Sequence, residues 1–348
     1  MPRSAILKLT DPYEYQAAMG HVEDLKSVIT APGSYQSELM LVDLHQVGLQ
    51  RGRISLPRIV HAAPHKDLCN IGFPTADNQA HVTFNGVEAS RSCISLYCPG
   101  AQYVVSASAE CYWGGISLPL ATLASASRAL IGYEITAPKV TQLIYTPPSL
   151  MARLLQLHEA TSKLATTVPD ILVHPEVARA IEQGLIRAMI ACLADSTALE
   201  NCRPLRQAVI RRFHQAIEAN QDQPLYLGDI CAAVGVSERT LRSLCSEYLG
   251  MSPHRYLWLR RMNLVRRALV LADPIATTVT MIANDYGFGE LGRFAVAYRQ
   301  LFGETPSMTL RRPPNDRPRT ATHLPKLVAP LADTPRQCAY ETSGVPGA

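Results

Sequence analysis

The sequence predicts an α+β protein of two domains, with a β-rich barrel first, then helices and an all-α domain. Three observations support this fold class. Short segments rich in β-branched residues, separated by Gly, Pro and Asn, fill residues 35–117, which is typical of a sheet sandwich or barrel. Helical periodicity begins after Leu118, and a weak internal repeat occupies the last third of the chain.

Composition sets the broad class. A chain of 348 residues, 47% hydrophobic and 18% charged, is long enough to bury two cores. We find no secretory leader and no apolar run of about eighteen residues that could span a membrane. The nine Cys form no CxxC pair. We therefore expect a cytoplasmic protein with reduced thiols, no cofactor and no membrane association.

Local signals place elements along the first two thirds of the chain. Asp11 suits an N-cap and Pro12 a first helical position, so the sequence predicts a helix over residues 11–30. Asn85 and Gly86 predict a tight hairpin turn between two strands. Three further helices are predicted, over residues 118–132, 147–165 and 174–194, and a polar connection over 195–207.

The last of these helices carries one apolar stripe at spacings of three and four residues. Its members are Val177, Ile181, Leu185, Met189 and Cys192. Such a stripe is either the core of a domain or the seam of an oligomer.

The repeat aligns two C-terminal segments with an offset of 52 residues, which becomes 53 after one insertion. Small residues, Cys231 and Ala283, would let two short helices cross closely. Gly235 and Gly287 can adopt the left-handed conformation that ends the first helix of each copy. Ser237 is a good N-cap for the second helix of the first copy. Each copy therefore predicts a helix-turn-helix.

The second helix of each copy has a buried and an exposed side. The residues predicted to pack inward are Leu241, Leu244, Cys245 and Tyr248 in the first copy and Phe294, Ala297, Tyr298 and Leu301 in the second. A helix-turn-helix whose second helix exposes its N-terminal side chains is shaped for the major groove. Residues 253–272 predict one linking helix of about 30 Å, which would hold two such helices about one DNA turn apart.

Several residues of this region match a known pattern: an Arg in the linking helix, a Gly-Phe pair, a later aromatic residue and an FGxxP motif. They are Arg261, Gly287-Phe288, Phe294 and Phe302-Gly303-Glu304-Thr305-Pro306. The C-terminal part thereby resembles the AraC/XylS family of transcription regulators over residues 205–312. The sequence departs from that pattern at Gly289 and Glu290, where family members carry bulkier or polar residues.

The resemblance assigns structural roles within the motif to Gly235, Gly287, Phe288, Phe294, Gly303, Pro306 and Arg261. We expect the guanidinium of Arg261 to satisfy backbone carbonyls or an acidic partner.

The resemblance implies a sequence-specific DNA-binding transcriptional regulator that responds to a ligand and is not an enzyme. We expect a cupin-like barrel sensor over residues 1–145, helices for dimerisation or coupling over 146–204, and the DNA-binding domain over 205–312. Composition predicts a disordered, Pro-rich tail over 313–348. The implied partners are double-stranded promoter DNA, a small-molecule effector, RNA polymerase and a second copy of the chain in a homodimer.

We expect the exposed starts of the two second helices to contact base edges. These residues are Arg239, Thr240, Arg242, Ser243, Glu290, Leu291 and Arg293. Arg can bind guanine through two hydrogen bonds, and Glu can accept one from cytosine. Phosphate contacts are expected from Ser237, Arg299, Arg311 and Arg312. For each residue, contact with phosphate or solvent alone is the alternative.

Two other functions stay open. A cupin-like metal-dependent enzyme fused to a DNA-binding domain would need a metal, but the histidines of the β-rich part lack the usual spacing of such a site. They are His45, His61, His65 and His81. We therefore expect no metal.

A thiol-based redox-sensing regulator is the second alternative. It would use Cys93, Cys98 or Cys111. Apart from Arg91, no basic residue is placed near them in sequence to lower the pKa of a thiol, which favours buried structural cysteines. Tyr112 and Trp113 are expected either in the core or in the wall of an effector pocket.

Overall fold

The computed structural model describes residues 2–19, 22–76, 81–198, 204–220 and 226–312. The predicted α+β class is confirmed: antiparallel strands come first, then long helices, then an all-α part with two helix-turn-helix units. The predicted tail over 313–348 lies outside the described residues, as do residues 199–203 of the predicted connection. In the described part of the chain, no helix has both the length and the apolar character needed to span a bilayer.

Two antiparallel sheets form the N-terminal half. In spatial order, the larger sheet contains β1 (Arg3–Leu9), β3 (Ser37–Asp43), β4 (Gly48–Ile54), β11 (Cys111–Pro119), β6 (Leu68–Pro74), β9 (Cys93–Leu96), β12 (Gln142–Tyr145) and β13 (Thr197–Ala198). The smaller sheet contains β2 (Val22–Ile29), β5 (Arg58–Pro64), β10 (Tyr103–Ala107), β7 (Val82–Phe84) and β8 (Val87–Glu88). The predicted hairpin turn is confirmed, because Asn85 and Gly86 join β7 to β8 with φ values of 48° and 79°.

The helix predicted over 11–30 is wrong beyond its first two turns. Helix α1 (Pro12–Ala18) begins as predicted, since the Asp11 side chain accepts a hydrogen bond from the Tyr13 backbone at 2.8 Å. The chain then continues as β2, which pairs with β5. In β2, Val28 and Ile29 are buried in two different clusters, and strand pairing overrides the local helical pattern.

The three middle helices are confirmed as α2 (Leu120–Ile131), α3 (Pro148–Thr167) and α4 (Pro175–Ala194), with a short 3-10 helix at Pro169–Val173. Helices α3 and α4 pack against each other. The apolar stripe on α4 is core rather than a seam, because Leu185, Met189 and Cys192 are buried in the cluster under the larger sheet.

The C-terminal part consists of α5 (Pro204–Ala219), α6 (Leu227–Val234), α7 (Glu238–Leu249), α8 (Pro253–Leu271), α9 (Val279–Asp285), α10 (Leu291–Phe302) and α11 (Pro306–Leu310). Its buried residues form a single cluster that runs through both repeats. The predicted linking helix is α8, whose 19 residues give a rod of about 28 Å.

Candidate nucleic-acid interface

The first helix-turn-helix unit consists of α6 and α7. Helix α6 ends at Gly235, which has φ 73° and ψ 39°, the left-handed conformation predicted from the sequence. The Val236 N–H then bonds to the Cys231 carbonyl at 3.2 Å. Ser237 caps α7 as predicted, since its hydroxyl accepts a hydrogen bond from the Thr240 N–H at 3.2 Å.

The second unit, α9 and α10, repeats this turn but starts its second helix differently. Gly287 has φ 76°, and the Phe288 N–H bonds to the Ala283 carbonyl at 2.9 Å, which matches the bond of Val236 in the first unit. At the N-cap of α10, however, Glu290 makes no side-chain capping bond. The repeat therefore preserves the turn and not the cap.

Aromatic packing fixes the corner of the second unit. The rings of Phe288 and Phe294 lie 4.9 Å apart between centroids, and Phe294 is buried. The guanidinium of Arg261 lies over the Phe288 ring at 5.4 Å. We expected Arg261 to bind backbone carbonyls or an acidic side chain, and this is wrong, because its partner is an aromatic ring. The arginine is structural, but it stabilises the corner through a cation–π contact.

Helix α7 presents its polar side to solvent. The predicted inward residues of α7 are all buried. The residues proposed for base contacts are all exposed: Arg239, Thr240, Arg242 and Ser243. Arg242 forms an ion pair with Glu238, one helical turn earlier. That pair holds the guanidinium over the first turn of α7, the end of the helix that enters a major groove in this motif.

Helix α10 exposes Arg293, which pairs with Glu290 at 3.0 Å. Leu291 was expected to face outward, but it is half-buried against the core cluster. The outward apolar residue is instead Val296, whose exposed fraction is 60%. Val296 was missed by the sequence reasoning, although it lies three residues after Arg293 and hence on the same helical face.

The residues proposed for phosphate contact divide into two groups. Arg299 and Arg311 are exposed. Arg312 is held within the chain, since its guanidinium lies 2.8 Å from the Glu304 carboxylate and 3.8 Å from Asp11. A phosphate contact by Arg312 would require these ion pairs to open.

The C-terminal helices are docked on the smaller sheet. Helix α7 packs against β10, and α8 packs against β2. The Asn263 amide exchanges two 3.1 Å hydrogen bonds with the backbone of Ile29, and the Tyr256 hydroxyl lies 2.9 Å from Nε2 of His61. Beside it, the rings of His61 and His214 are 3.6 Å apart. Burial lowers the pKa of His61 to about 3, and it lowers the pKa of His214 well below its ordinary value.

Because side chains alternate along a strand, the two faces of the smaller sheet contact different parts of the molecule. On one face, Val28, Ile59 and Val104 join the core of the C-terminal helices. On the other face, the neighbours of these residues line a cavity of about 140 Å³ between the two sheets. These neighbours include Arg58, Val60, Tyr103 and Val105. One layer of β-sheet therefore separates this cavity from helices α7 and α8.

Residues of the two alternative functions are also placed. His81 pairs with Glu88 at 2.8 Å, His65 lies near Asp67, and His61 faces the C-terminal helices. Within the described ranges, no group of three or more His, Cys, Asp or Glu could hold a metal ion. Tyr112 and Trp113 line the cavity, and Trp113 also packs against a buried core cluster. That the cavity holds an effector stays a prediction.

One of the three cysteines, Cys111, contacts a basic residue that the sequence did not indicate. Arg58 donates a hydrogen bond to Sγ of Cys111 at 3.1 Å, although 53 residues separate them in sequence. Arg58 lies on β5 of the smaller sheet and Cys111 on β11 of the larger sheet, so the packing of one sheet on the other brings the two together. No local motif could have revealed the contact.

Comparison with known proteins bears on this C-terminal architecture. Residues 230–312 match the model of a family described as a helix-turn-helix domain. The chain is 33% identical over 189 residues to a probable thc operon regulatory protein of Rhodococcus erythropolis, covering 53% of this chain and 57% of that protein. It is 40% identical over 103 residues to an XylDLEGF operon transcriptional activator of Pseudomonas putida, covering 29% and 32%.

The C-terminal domain belongs to the AraC/XylS family. A solved structure of a probable AraC family transcriptional regulator from Rhodopseudomonas palustris is 34% identical, covers 30% of this chain and 98% of that chain, and has a TM-score of 0.27. The chain spans about a third to three fifths of the lengths of the two operon regulators. The AraC-type domain is therefore the part of the molecule that these relatives identify.

Proposed function

We propose that this protein is a ligand-responsive transcriptional regulator that binds a specific DNA sequence with both helix-turn-helix units. The observation that carries the proposal is the pair of matched turns at Gly235 and Gly287, each followed by a helix with an exposed N-terminal face. The rigid helix α8 between them sets a spacing of about one turn of DNA, so α7 and α10 would enter adjacent major grooves on one side of the duplex.

In this proposal, side chains on α7 and α10 contact base edges. Arg239, Thr240, Arg242 and Ser243 act from α7, and Arg293 acts from α10 with Glu290 and Leu291 at its start. Val296 adds an apolar surface that suits the methyl group of thymine. Ser237, Arg299 and Arg311 contact phosphates and set the register on the DNA. Arg312 joins them if its pairs with Glu304 and Asp11 open.

The response to a ligand is proposed to run through the smaller sheet. A ligand in the cavity would touch residues of β5 and β10 whose sequence neighbours pack on the DNA-binding helices. Such a ligand would change DNA affinity if it bound one docking arrangement of α7 and α8 more tightly than another. The same cavity makes residues 1–145 the proposed sensor.

The remaining partners follow from the family of the C-terminal domain. We infer that the protein is not an enzyme and that it acts in the cytoplasm as a homodimer that contacts RNA polymerase. Residues 146–204, which contain α3 and α4, are the proposed dimerisation or coupling segment. Light scattering of the purified chain with and without operator DNA would test the dimer.

Genome-wide mapping of bound DNA tests the central proposal. The full chain should enrich a small set of fragments that share one sequence spanning two adjacent major grooves. The double variant Arg239→Ala/Arg242→Ala should lose this enrichment. The matched control Arg128→Ala removes an exposed arginine from α2, outside both the DNA-contacting helices and residues 146–204, and should keep it. Equal recovery of genomic and shuffled fragments by the unaltered chain at moderate salt would contradict the proposal.

A further inference from the structure

Among the described residues that line the cavity between the two sheets, one is charged, and it is Arg58. We propose that this cavity binds a small monocarboxylate with a hydrocarbon body of six to eight carbons, and that Arg58 holds its carboxylate. The regulatory consequence rests on the proposed function, whereas binding itself can be measured without DNA.

Arg58 is buried and has no counter-ion among the residues that the structure describes. Its exposed fraction is 5%, and its one hydrogen bond runs from Nη2 to Sγ of Cys111, a weak acceptor. In the described part of the chain, Nε and Nη1 have no partner. A buried charge without paired hydrogen bonds destabilises a fold, so an orphaned guanidinium that faces a cavity points to an anion as its missing partner.

The neighbours of Arg58 do not supply that anion. Tyr15 and Tyr35 lie close enough to interact with it electrostatically. Burial raises the pKa of Tyr35 to about 12 and raises that of Tyr15 further, which keeps both phenols neutral. Arg58 is also the one charged side chain among the residues that line the cavity.

The rest of the wall fits a hydrocarbon. Phe84, Tyr97 and Tyr103 form an aromatic cluster in which ring centroids lie 4.5 to 5.7 Å apart, and Phe73 and Trp113 also line the cavity. The volume is about 140 Å³. An apolar cavity of about 150 Å³ accepts benzene, so one ring or a short branched chain is the body that this space can hold.

The charge balance favours a monoanion. A carboxylate presents two acceptor oxygens to the free donors of one guanidinium and neutralises it. A phosphate dianion would leave one negative charge unpaired against aromatic walls, because no second lining residue is cationic. A neutral ligand would leave Arg58 as it is.

The position of Arg58 connects the carboxylate to the DNA-binding helices. Arg58 precedes Ile59, whose side chain lies on the opposite face of β5 and packs with the C-terminal core. A ligand that reorients Arg58 therefore acts on the same strand that supports α7 and α8.

Titration calorimetry of the full chain tests the site with benzoate and hexanoate, and with benzamide and hexanamide as uncharged isosteres. At least one carboxylate should bind with one-to-one stoichiometry, and its amide should bind at least tenfold more weakly. Arg58→Met should weaken carboxylate binding at least thirtyfold, because it removes the cation and keeps an apolar side chain of similar length. The control Arg128→Met, at an exposed arginine of α2 away from the cavity, should bind like the unaltered chain.

Two further measurements guard against misfolding of the variant. Because Arg58→Met removes an unpaired buried charge, the thermal midpoint of the unliganded variant should equal or exceed that of the unaltered chain. Val60→Phe keeps Arg58 but fills part of the cavity, and it should also abolish carboxylate binding. The proposal is overturned if amides bind as well as acids, if inorganic phosphate binds in preference, or if Arg58→Met binds carboxylates normally.

The result separates this site from the proposed function. Specific DNA binding without carboxylate binding overturns the site and leaves the regulator intact. Carboxylate binding through Arg58 with loss of all operator preference supports the site and overturns the regulator.

Discussion

The two helix-turn-helix units make the same turn but differ in what holds the second helix. In the first unit, Ser237 caps α7, and the opposite side of α7 packs on β10. In the second unit, the N-cap of α10 is Glu290, which makes no side-chain capping bond and follows Gly289. Helix α10 packs against α9 and α11. Glycine before and within the first turn, at 289 and 292, gives the backbone more freedom there.

This difference suggests a division of labour. A helix whose N-terminus is capped and whose opposite face is packed against a sheet presents its side chains in one geometry, which favours base-specific contacts. A helix with a looser start adapts its side chains to different base sequences and therefore discriminates less between them. We therefore expect both units to contact bases and the first unit to contribute more of the sequence preference.

The largest expected effect comes from removing the outward arginines. Arg242→Ala should cost about 1–3 kcal/mol of binding to the preferred DNA, or roughly 5- to 150-fold in Kd, because a bidentate contact to guanine is lost. Arg293→Ala should cost less than half of that free energy. Fluorescence anisotropy on the preferred and shuffled duplexes measures both, with Arg128→Ala as the control. A larger loss of specificity for Arg293→Ala would reverse the comparison.

Acid should lower the free energy of unfolding through His61 and His214, which lie between the smaller sheet and the C-terminal helices. His61 and His214 are neutral when docked, because their pKa values lie below the ordinary value of 6.5. The unfolded chain binds more protons between those values, so stability is complete above pH 6.5 and falls as the pH drops below it. At pH 5.5 the loss from His61 is about 1.4 kcal/mol. His214 contributes a further loss in the same direction.

Urea unfolding at pH 7.5 and 5.5 measures this effect. The charged groups near the histidine pair are Lys26, Glu218 and Arg260, and the Tyr256 hydroxyl contacts His61. The double variant His61→Phe/His214→Phe should lose most of the pH dependence. His158 is also buried, and its pKa is lowered to about 4, so part of the dependence should persist. An unchanged pH profile in the double variant would refute the role of this pair.

The helix caps give a reciprocal test of smaller size. Ser237→Ala should lower the free energy of unfolding by about 1 kcal/mol, because the Thr240 N–H loses its acceptor. Glu290→Ser should raise it by about 0.5–1 kcal/mol by supplying the cap that α10 lacks. Ser243→Ala, at an exposed position, is the control and should change little. Equal losses from both cap substitutions would remove the distinction between the units.

The smallest effect concerns salt. Arg299→Ala should reduce the slope of log Kd against log salt concentration by about 0.9, the value for one lost phosphate contact. Arg312→Ala should leave the slope unchanged, because that guanidinium is paired with Glu304. Binding isotherms at four salt concentrations decide between them. A change of slope for Arg312→Ala alone would place the phosphate contact on the other arginine.

The features of the two helix-turn-helix units that depend on local sequence signals could be predicted from the sequence. The turn glycines, the Ser237 cap and the apolar periodicity of α7 and α10 act within a few residues, so the sequence predicts them well. Arg58 gained its role only when β5 was placed over a cavity and against Cys111. The break after α1 likewise depends on pairing between β2 and β5. Local patterns therefore lacked two kinds of long-range information, the pairing of strands and the packing of one sheet on the other.

Dimethyl sulfate protection of guanine N7 along one preferred site tests the central claim, which is that both units bind the same face of one duplex. The full chain should protect two major-groove segments about 10 base pairs apart. Arg242→Ala should remove protection in one segment and Arg293→Ala in the other. Protection of one segment only, or two segments on opposite faces of the helix, would contradict the claim.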